Sequence, residues 1–233
     1  MEIYPQLQAY KQNRQKLLAI LLDPDKVSLK NIKKTSKDLK KSKADIVLIG
    51  GSLLSKNHFK KLIKKLKKYC DLPLVIFPGN TMQISKKADA LLFLSLISGR
   101  NAEYLIGKHV EVAPLLKQKK LETIATGYML IENGHTTSVE YISNTRPIPR
   151  AKPDIAVATA IAGEMLGLQM FYLEAGSGAK EPVPVEMIRQ VAHSVDIPLW
   201  VGGGIRTRAQ VLQAWNAGAD VVVVGTAFEQ GAF

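Results

Sequence analysis

The sequence is poor in cysteine, in aromatic residues and in long apolar runs, and each shortage excludes a class of protein. Cys70 is the only cysteine among 233 residues, which excludes a disulfide framework or a cysteine-based zinc cluster and fits a reducing compartment. Aromatic residues make up 6% of the chain, too few for clusters that stack nucleic-acid bases. The longest apolar runs, such as Leu17–Leu22, fall far short of the roughly 18 residues that span a bilayer. Since the first residues also lack a basic segment, we expect a cytoplasmic protein.

Acidic residues are scarce in one part of the chain. The whole sequence carries 32 Lys and Arg against 20 Asp and Glu, a formal net charge of +12. Residues 26–68 hold fifteen of the lysines and only two acids, Asp38 and Asp45, so the remainder is close to neutral. A protein that grips nucleic-acid phosphates would spread this charge and use more Arg. We interpret the lysines as solvated helix faces, and peripheral contact with an anionic membrane is the second hypothesis.

Short apolar runs recur at intervals of roughly 25 residues, with helical periodicity between them. They lie at Leu17–Leu22, Ile46–Ile49, 74–77, 90–97, 123–131, 170–173, 199–201 and Val221–Val224. Most are apolar at consecutive positions, as is typical of strands buried on both faces of a parallel sheet. Eight such strands in one chain predict the α/β class and a (β/α)8 TIM barrel, with residues 1–233 forming a single domain.

Two units of this barrel are predicted to be irregular. Residues 82–88 are too short for a full third helix, and the chain ends at Phe233, soon after the last strand, so the eighth helix is expected to be stunted or missing. Residues 133–153 contain Gly134 and three prolines, which predicts a long loop before the next helix.

Glycines follow the last three predicted strands, where a barrel builds its active site. Gly176 and Gly178 follow the sixth strand, residues 202–204 the seventh, and Gly225 the eighth. Glycine lets the backbone approach an anion and turn N–H groups toward it, so three such loops together predict a phosphate site. The alternative is that each loop only makes a tight turn. Arg206 is either a further anion contact or an exposed residue of the following helix.

Two candidate groups for chemistry lie at other strand ends. Asp23 follows the first strand and Ser52 follows the second, which predicts a hard-oxygen Mg²⁺ site, although Asp23 and Asp25 could instead only form a turn around Pro24. Glu174 ends the sixth strand and could accept a proton from a substrate hydroxyl, with a buried ion pair as the alternative. The four histidines share no metal-ligand spacing.

Several of these segments together resemble one family over nearly the whole chain. They are residues 22–26, 77–80, 127–128, 147–150, 172–178, 202–206 and 225–226. On them the chain resembles the geranylgeranylglyceryl phosphate synthases and the related bacterial heptaprenylglyceryl phosphate synthases. The segment from Tyr172 to Gly178 is the specific part of the resemblance, because glycines before Ile205 and Arg206 occur in other phosphate-binding barrels.

The resemblance implies a Mg²⁺-dependent prenyltransferase that joins sn-glycerol 1-phosphate to a polyprenyl diphosphate in ether-lipid biosynthesis. Glycerol phosphate would then be bound by Tyr172, Leu173, Glu174, Ala175, Gly176, Ser177, Gly178, Gly203, Gly204, Gly225 and Thr226. Glu174 would be the catalytic residue, orienting or deprotonating the C3 hydroxyl, while Asp23 and Ser52 would hold Mg²⁺. Members of the family are commonly dimers or hexamers, so self-association is expected.

The prenyl tail requires an apolar groove, for which Leu92, Leu94, Leu96 and Tyr104 are candidates, with core packing as the alternative for each. Leu21 stands where the heptaprenyl branch often carries a lysine, which favours the geranylgeranyl branch. Two other functions stay open. A different phosphate-binding barrel enzyme would share only the last two glycine loops, and a basic module binding membrane or nucleic acid would use residues 26–68.

Overall fold

The computed structural model describes residues 2–56 and 58–233, and within them eight parallel strands close into a barrel in sequence order. The strands are β1 Leu17–Leu22, β2 Ile46–Ile49, β3 Leu74–Ile76, β4 Ala90–Leu96, β5 Glu122–Leu130, β6 Met170–Glu174, β7 Leu199–Gly202 and β8 Val221–Val224. The barrel closes because β8 pairs with β1, with Val221 opposite Leu17 and Val224 opposite Ile20. The predicted (β/α)8 barrel is confirmed.

Successive residues of each strand enter two different apolar cores, which explains the continuous apolar runs. Leu18 and Ile20 of β1 point outward and pack against the helices, whereas Leu17 and Ala19 point into the barrel interior. Trp200 fills part of this interior, and like its neighbours it is fully buried. Each strand is therefore covered on both faces.

Helices cover the outside of the barrel. They are α1 Ile3–Gln12, α2 Ile32–Lys41, α3 Phe59–Tyr69, α4 Lys108–Lys119, α5 Ser138–Ser143, α6 Pro153–Met165, α7 Val185–Ser194, α8 Arg208–Asn216 and α9 Thr226–Glu229, with a π-helical turn at Glu103–Gly107 before α4. In α2 and α3 the apolar residues lie on one face: Ile32 and Leu39 of α2, and Leu62 and Leu66 of α3, are buried against the strands. The lysines between them consequently face outward.

The irregular units follow the prediction, with one exception. Residues 77–89 between β3 and β4, all of them described, form turns without a helix, and α9 is only four residues long. The loop predicted at 133–153 was wrong in part, because it contains α5. The hydroxyl of Thr137 begins this helix by accepting the backbone N–H of Glu140 at 3.3 Å, a local cap that outweighs the surrounding glycine and prolines.

Helix α1 closes the end of the barrel opposite the strands' carboxyl ends. The Glu122 carboxylate, at the start of β5, accepts the backbone N–H groups of Ile3 and Tyr4 at 2.6 and 2.7 Å. Ile3 and Leu7 are buried against the interior residues of the barrel. Across the described ranges, no helix is long and apolar enough to cross a membrane.

Candidate active site

One cavity of about 450 Å³ opens at the carboxyl ends of the strands. It extends from the glycine loops after β6, β7 and β8, past the ends of β1 and β2, to the outer side of β4. The predicted residues that line it are Asp23, Ser52, Tyr172, Glu174, Gly176, Ser177, Gly178, Gly203, Gly204, Gly225 and Thr226. The barrel therefore brings together most of the predicted site.

Leu173 and Ala175 are predicted binding residues whose side chains do not reach the cavity. Both are fully buried among the residues that pack between the barrel and its helices. The cause is the alternation of side chains along a strand, because Tyr172 and Glu174 point inward and the residues after each of them point outward. The two side chains belong to the core, so any part of these residues in binding is left to their backbone groups.

The loops after β6 and β7 approach each other closely at two glycines. Gly203 and Gly204 have φ angles of +83° and +71°, a backbone conformation that residues with a side chain rarely adopt. A Cβ atom added at Gly203 would lie 2.4 Å from Oε1 of Glu174 and 2.6 Å from the backbone nitrogen of Gly176. The glycine is required because the two loops leave no room for a side chain.

Arginine side chains hold the β6–α7 loop from two sides. The Arg206 guanidinium donates to the carbonyl oxygen of Ala179 at 2.8 Å. Arg150 donates to the carbonyl of Pro182 at 2.8 Å and forms an ion pair with Glu181 at 2.9 Å. Although Arg206 borders the cavity, its donors are directed at this loop, so its clearest role is to fix the backbone that carries Gly176 and Gly178.

Glu174 is the buried carboxylate at the centre of the site. Only 6% of the residue is exposed, and its Oε1 accepts the backbone N–H of Gly176 at 2.6 Å. Burial raises the pKa of the carboxyl to about 7, and the hydrogen bond from Gly176 opposes the shift. No ion pair to Glu174 is present in the ranges described, which removes the buried-ion-pair alternative. A carboxyl with this pKa can exchange a proton near neutral pH.

Aromatic rings form the wall of the cavity next to Glu174. Tyr172 stacks on Phe77 with ring centroids 5.0 Å apart, and Tyr128 lies 5.6 Å from Tyr172 in a tilted arrangement. Burial, followed by the nearby charge of Glu174, raises the pKa of the Tyr172 hydroxyl well above its usual range. Among described residues this hydroxyl meets no strict hydrogen-bond geometry, but its interaction with the Glu174 carboxylate lowers the pKa of that carboxyl against the effect of burial.

Asp23 and Ser52 face the cavity from adjacent strand ends, while Asp25 has a different role. Oδ1 of Asp23 accepts the backbone N–H of Asp25 at 2.9 Å, and a Cβ placed on Gly51 would lie 3.3 Å from the same oxygen. The Asp25 carboxylate instead accepts the backbone N–H of Ser55 at 2.6 Å and tethers the β2–α3 loop. The turn around Pro24 is therefore made by Oδ1 of Asp23, and Oδ2 of Asp23 is left facing Lys26 at 3.8 Å.

Sequence reasoning missed Glu229, which supports the Asp23 end of the site. Its carboxylate accepts the backbone N–H of Asp23 at 3.3 Å and pairs with Lys26 at 2.7 Å. Lys26 is also 3.8 Å from Oδ2 of Asp23, and the hydrogen bond that Lys26 donates to Glu229 is the main cause that raises the pKa of Lys26. The only available signal was barrel closure, which places residues after β8 beside those after β1.

The far end of the cavity is apolar. Leu92, Leu94, Leu96 and Tyr104 border the cavity, together with Val112, Val139 and Ile142. Leu92 and Leu96 are buried in the barrel interior, so the core-packing alternative fits these two side chains. His109 also lines this end and is buried, with its ring edge-on to Phe93 at 4.4 Å between centroids. Burial lowers the pKa of this imidazole, which favours its neutral form.

Comparison with known proteins identifies the same family in sequence and in structure. The PcrB family matches residues 10–232. The chain is 53% identical over 227 residues to the geranylgeranylglyceryl phosphate synthase of Flavobacterium johnsoniae, covering 97% of this chain and 93% of that protein. It is 42% identical over 221 residues to the protein of the same name in Thermococcus kodakarensis, covering 94% and 87% respectively.

Solved structures agree with this result. The (S)-3-O-geranylgeranylglyceryl phosphate synthase of Thermoplasma acidophilum, in complex with its substrate sn-glycerol-1-phosphate, is 31% identical, with a TM-score of 0.92 over 99% of this chain and 92% of that one. An N-acetylmannosamine-6-phosphate 2-epimerase from Clostridium perfringens is 14% identical, with a TM-score of 0.60 over 96% and 90% of the two chains, and shows only that the barrel is shared.

Proposed function

The chain belongs to the PcrB family, and we propose that it is a prenyltransferase that joins the C3 hydroxyl of sn-glycerol 1-phosphate to a polyprenyl diphosphate. The bond formed is an ether, diphosphate is released, and the product is a precursor of ether lipids. The names of the bacterial and archaeal relatives support this reaction, as does the glycerol phosphate bound in the Thermoplasma acidophilum structure.

The observation that carries the proposal is the continuity of one cavity between two chemically different ends. Glycine loops border one end, where Glu174 packs against them with a pKa of about 7, and an apolar wall borders the other. A phosphate bound at the first end and a polyprenyl tail at the second would bring the reacting carbon and oxygen together beside this carboxylate.

Backbone groups of the glycine loops and nearby hydroxyl groups would bind the glycerol phosphate. Gly176, Gly178, Gly203 and Gly204 leave the backbone accessible from the cavity, and Ser177 and Thr226 add hydroxyl donors. The Tyr172 hydroxyl, which interacts with the Glu174 carboxylate, would bond a hydroxyl of the glycerol beside that carboxylate. This end requires no lysine of the basic helices, since none of the lysines of α2 or α3 lines the cavity.

Glu174 would act as the general base on the C3 hydroxyl. As the bond between C1 of the prenyl group and the diphosphate oxygen breaks, positive charge develops at C1 and the C3 oxygen attacks it. The proton of the C3 hydroxyl passes to the Glu174 carboxylate, and the electron pair of the broken bond leaves with diphosphate. No covalent intermediate on the protein is needed.

Asp23 and Ser52 would hold a Mg²⁺ ion that neutralises the leaving diphosphate. The donor set fits, because Mg²⁺ in phosphate sites commonly uses one or two protein ligands with substrate oxygens and water. Asp23 offers Oδ2, since Oδ1 is hydrogen-bonded to the Asp25 backbone. Lys26, beside the same carboxylate, would add positive charge toward the diphosphate.

The geranylgeranyl group is the proposed donor, and a heptaprenyl group is the alternative. The names of the relatives support the shorter group, and Leu21, an apolar residue of the cavity wall, is consistent with it. Self-association into a dimer or hexamer remains a prediction from the family resemblance.

The test is an incubation of labelled sn-glycerol 1-phosphate with geranylgeranyl diphosphate, with and without Mg²⁺, followed by organic extraction. Label in the organic phase only when Mg²⁺ is present supports both the reaction and the metal. Label in the organic phase without Mg²⁺ would contradict only the requirement for the metal. Label that stays in water under every condition would contradict the transferase reaction.

A further inference from the structure

We propose that the outer surface of α2 and α3, with the apolar rim beside it, docks the protein onto an anionic lipid bilayer. The basic face consists of every lysine of Ile32–Lys41 and Phe59–Tyr69, eleven in all, and each of them is exposed. The two helices pack side by side on the barrel, so these lysines form one continuous surface.

Most of this charge is not neutralised by the protein. Lys40 pairs with Asp71 at 3.1 Å and Lys67 pairs with Asp89 at 2.6 Å. Throughout residues 2–56 and 58–233, the other lysines of the basic face have no carboxylate within ion-pair distance. Asp38 is the sole acid within the two helices. Unpaired lysines crowded on one surface create a positive field that an anionic surface would relieve.

Apolar side chains project from the rim next to the basic face. Leu53, in the β2–α3 loop, is 75% exposed, and Met82, after β3, is 79% exposed. The two loops are joined by the side-chain amide of Gln83, which donates to the carbonyl oxygen of Gly51 at 2.8 Å. Exposed apolar tips flanked by lysines are the combination that binds the headgroup region of a bilayer.

This surface adjoins the mouth of the cavity. Leu53 itself lines the cavity, and His58, the residue before α3, has a ring nitrogen 2.7 Å from the carbonyl oxygen of Pro24, two residues after β1. A bilayer against the rim and the upper part of the basic face would therefore face the cavity opening. Resting on the proposed function, this orientation would let a polyprenyl substrate enter from the membrane and a lipid product return to it.

The composition of the basic face favours a membrane over nucleic acid. Its cations are all lysines, which act as point charges toward lipid phosphates, and residues 26–68 contain no arginine. Tyr69 is the aromatic ring beside it, and Lys33 and Lys68 cover that ring at 5.4 and 5.7 Å. A ring covered by lysines offers no open platform for base stacking.

The experiment is vesicle co-sedimentation of the full chain without substrates. Vesicles of phosphatidylcholine alone are compared with vesicles containing phosphatidylglycerol, at low and high salt. We expect binding only to the anionic vesicles, weakened by salt because the Debye length shortens. The triple variant Lys60→Gln, Lys61→Gln and Lys64→Gln should bind at least about tenfold more weakly.

A matched variant removes three lysines at the carboxyl end of α4, outside the basic face and at the end of the barrel opposite the rim: Lys117→Gln, Lys119→Gln and Lys120→Gln. It should bind vesicles like the wild type. If both triple variants lost vesicle binding equally, the net charge alone would explain the binding, and the docking surface would be overturned. Absence of binding to anionic vesicles, or binding of single-stranded RNA in place of vesicles, would overturn it as well.

Prenyl transfer in detergent separates this proposal from the proposed function. Both triple variants should retain wild-type turnover there, because their lysines lie outside the cavity lining. Specific vesicle binding by a protein that makes no ether product would contradict the function and leave the docking surface standing. Product formation by a protein that does not bind vesicles would support the function and contradict the docking surface.

Discussion

The carboxylate of Glu174 lies against the backbone of Gly203, so closely that a Cβ on that glycine would come within 2.4 Å of Oε1. The same oxygen accepts the N–H of Gly176. The candidate base is thus enclosed by the two loops proposed to bind phosphate. Its position, its burial and its raised pKa all follow from this packing.

The Gly203→Ala variant should lose activity by about 100-fold or more, because a methyl group would displace Glu174 or the β6–α7 loop. Gly167→Ala is the matched control: Gly167 also has a positive φ, +86°, but nothing lies within 4 Å of an added Cβ. Both variants should be destabilised by about 1–2 kcal/mol through backbone strain, measured by urea unfolding. Equal activity losses in the two variants would mean that backbone strain alone causes the loss.

The pH dependence of kcat/KM should show a Glu174 titration. The base is active when ionised, so with a pKa of about 7 the rate should fall as the pH drops below 7. The Glu174→Gln variant should lose turnover more than affinity for glycerol phosphate and should lack this limb. Any limb that remains in the variant belongs to the substrate phosphate. Full turnover by the variant would exclude Glu174 as the base.

The stability of the protein should also depend on Glu174 and pH. The folded carboxyl holds its proton up to about pH 7, whereas in the unfolded chain it ionises near its usual pKa of 4.5. Stability from this residue is therefore complete below pH 4.5 and decreases as the pH rises to 7, by about 3 kcal/mol in total. Urea unfolding should show that Glu174→Gln lacks this decrease. Parallel profiles for the two proteins would contradict the raised pKa.

Asp23→Asn should raise the Mg²⁺ concentration that gives half-maximal activity by roughly tenfold or more. Mn²⁺ binding, followed by water proton relaxation in the presence of diphosphate, should weaken with it and provides a readout independent of turnover. Asp25→Asn is the control. The Asp25 carboxylate binds Ser55 and not the proposed metal, so this variant should leave the metal affinity unchanged. Metal binding that is reduced by Asp25→Asn but unchanged by Asp23→Asn would reverse the assignment.

Arg206→Leu should raise the KM for glycerol phosphate by about tenfold, with a smaller effect on kcat, because the β6–α7 loop loses its anchor at Ala179. Arg206→Lys should recover part of the affinity, since a lysine can donate to one carbonyl. Arg189→Leu, on the exposed face of α7, should behave like the wild type. A change in kcat alone would argue against a positioning role.

The barrel could be predicted from the sequence because each strand is a continuous apolar run between turn residues. The bounds of β1, β2 and β8 agree with the predicted runs at both ends. Helix α5 was missed because its six residues lie among glycine and prolines, and only the cap at Thr137 marks its beginning. A single capping residue is a weaker sequence signal than the apolar periodicity of a long helix.

The site was predictable where it depended on residue type at strand ends and less so where it depended on packing. Tyr172 and Glu174 reach the cavity, but Leu173 and Ala175 do not, because the pleat alternates their directions. Glu229 lies far from Asp23 in the sequence and meets it only after the barrel closes. Relations of this kind have no signature in a single sequence.

The most direct test of the account is the product formed from geranylgeranyl diphosphate and a mixture of sn-glycerol 1-phosphate and its enantiomer. Mass spectrometry and chiral analysis of the extract should find the 3-O-ether of sn-glycerol 1-phosphate, with diphosphate released in equal amount. It should find no ether of the enantiomer, since the buried wall of Tyr172 and Glu174 fixes one orientation of the C3 hydroxyl. Ethers of both enantiomers in equal yield, or no ether at all, would contradict the account.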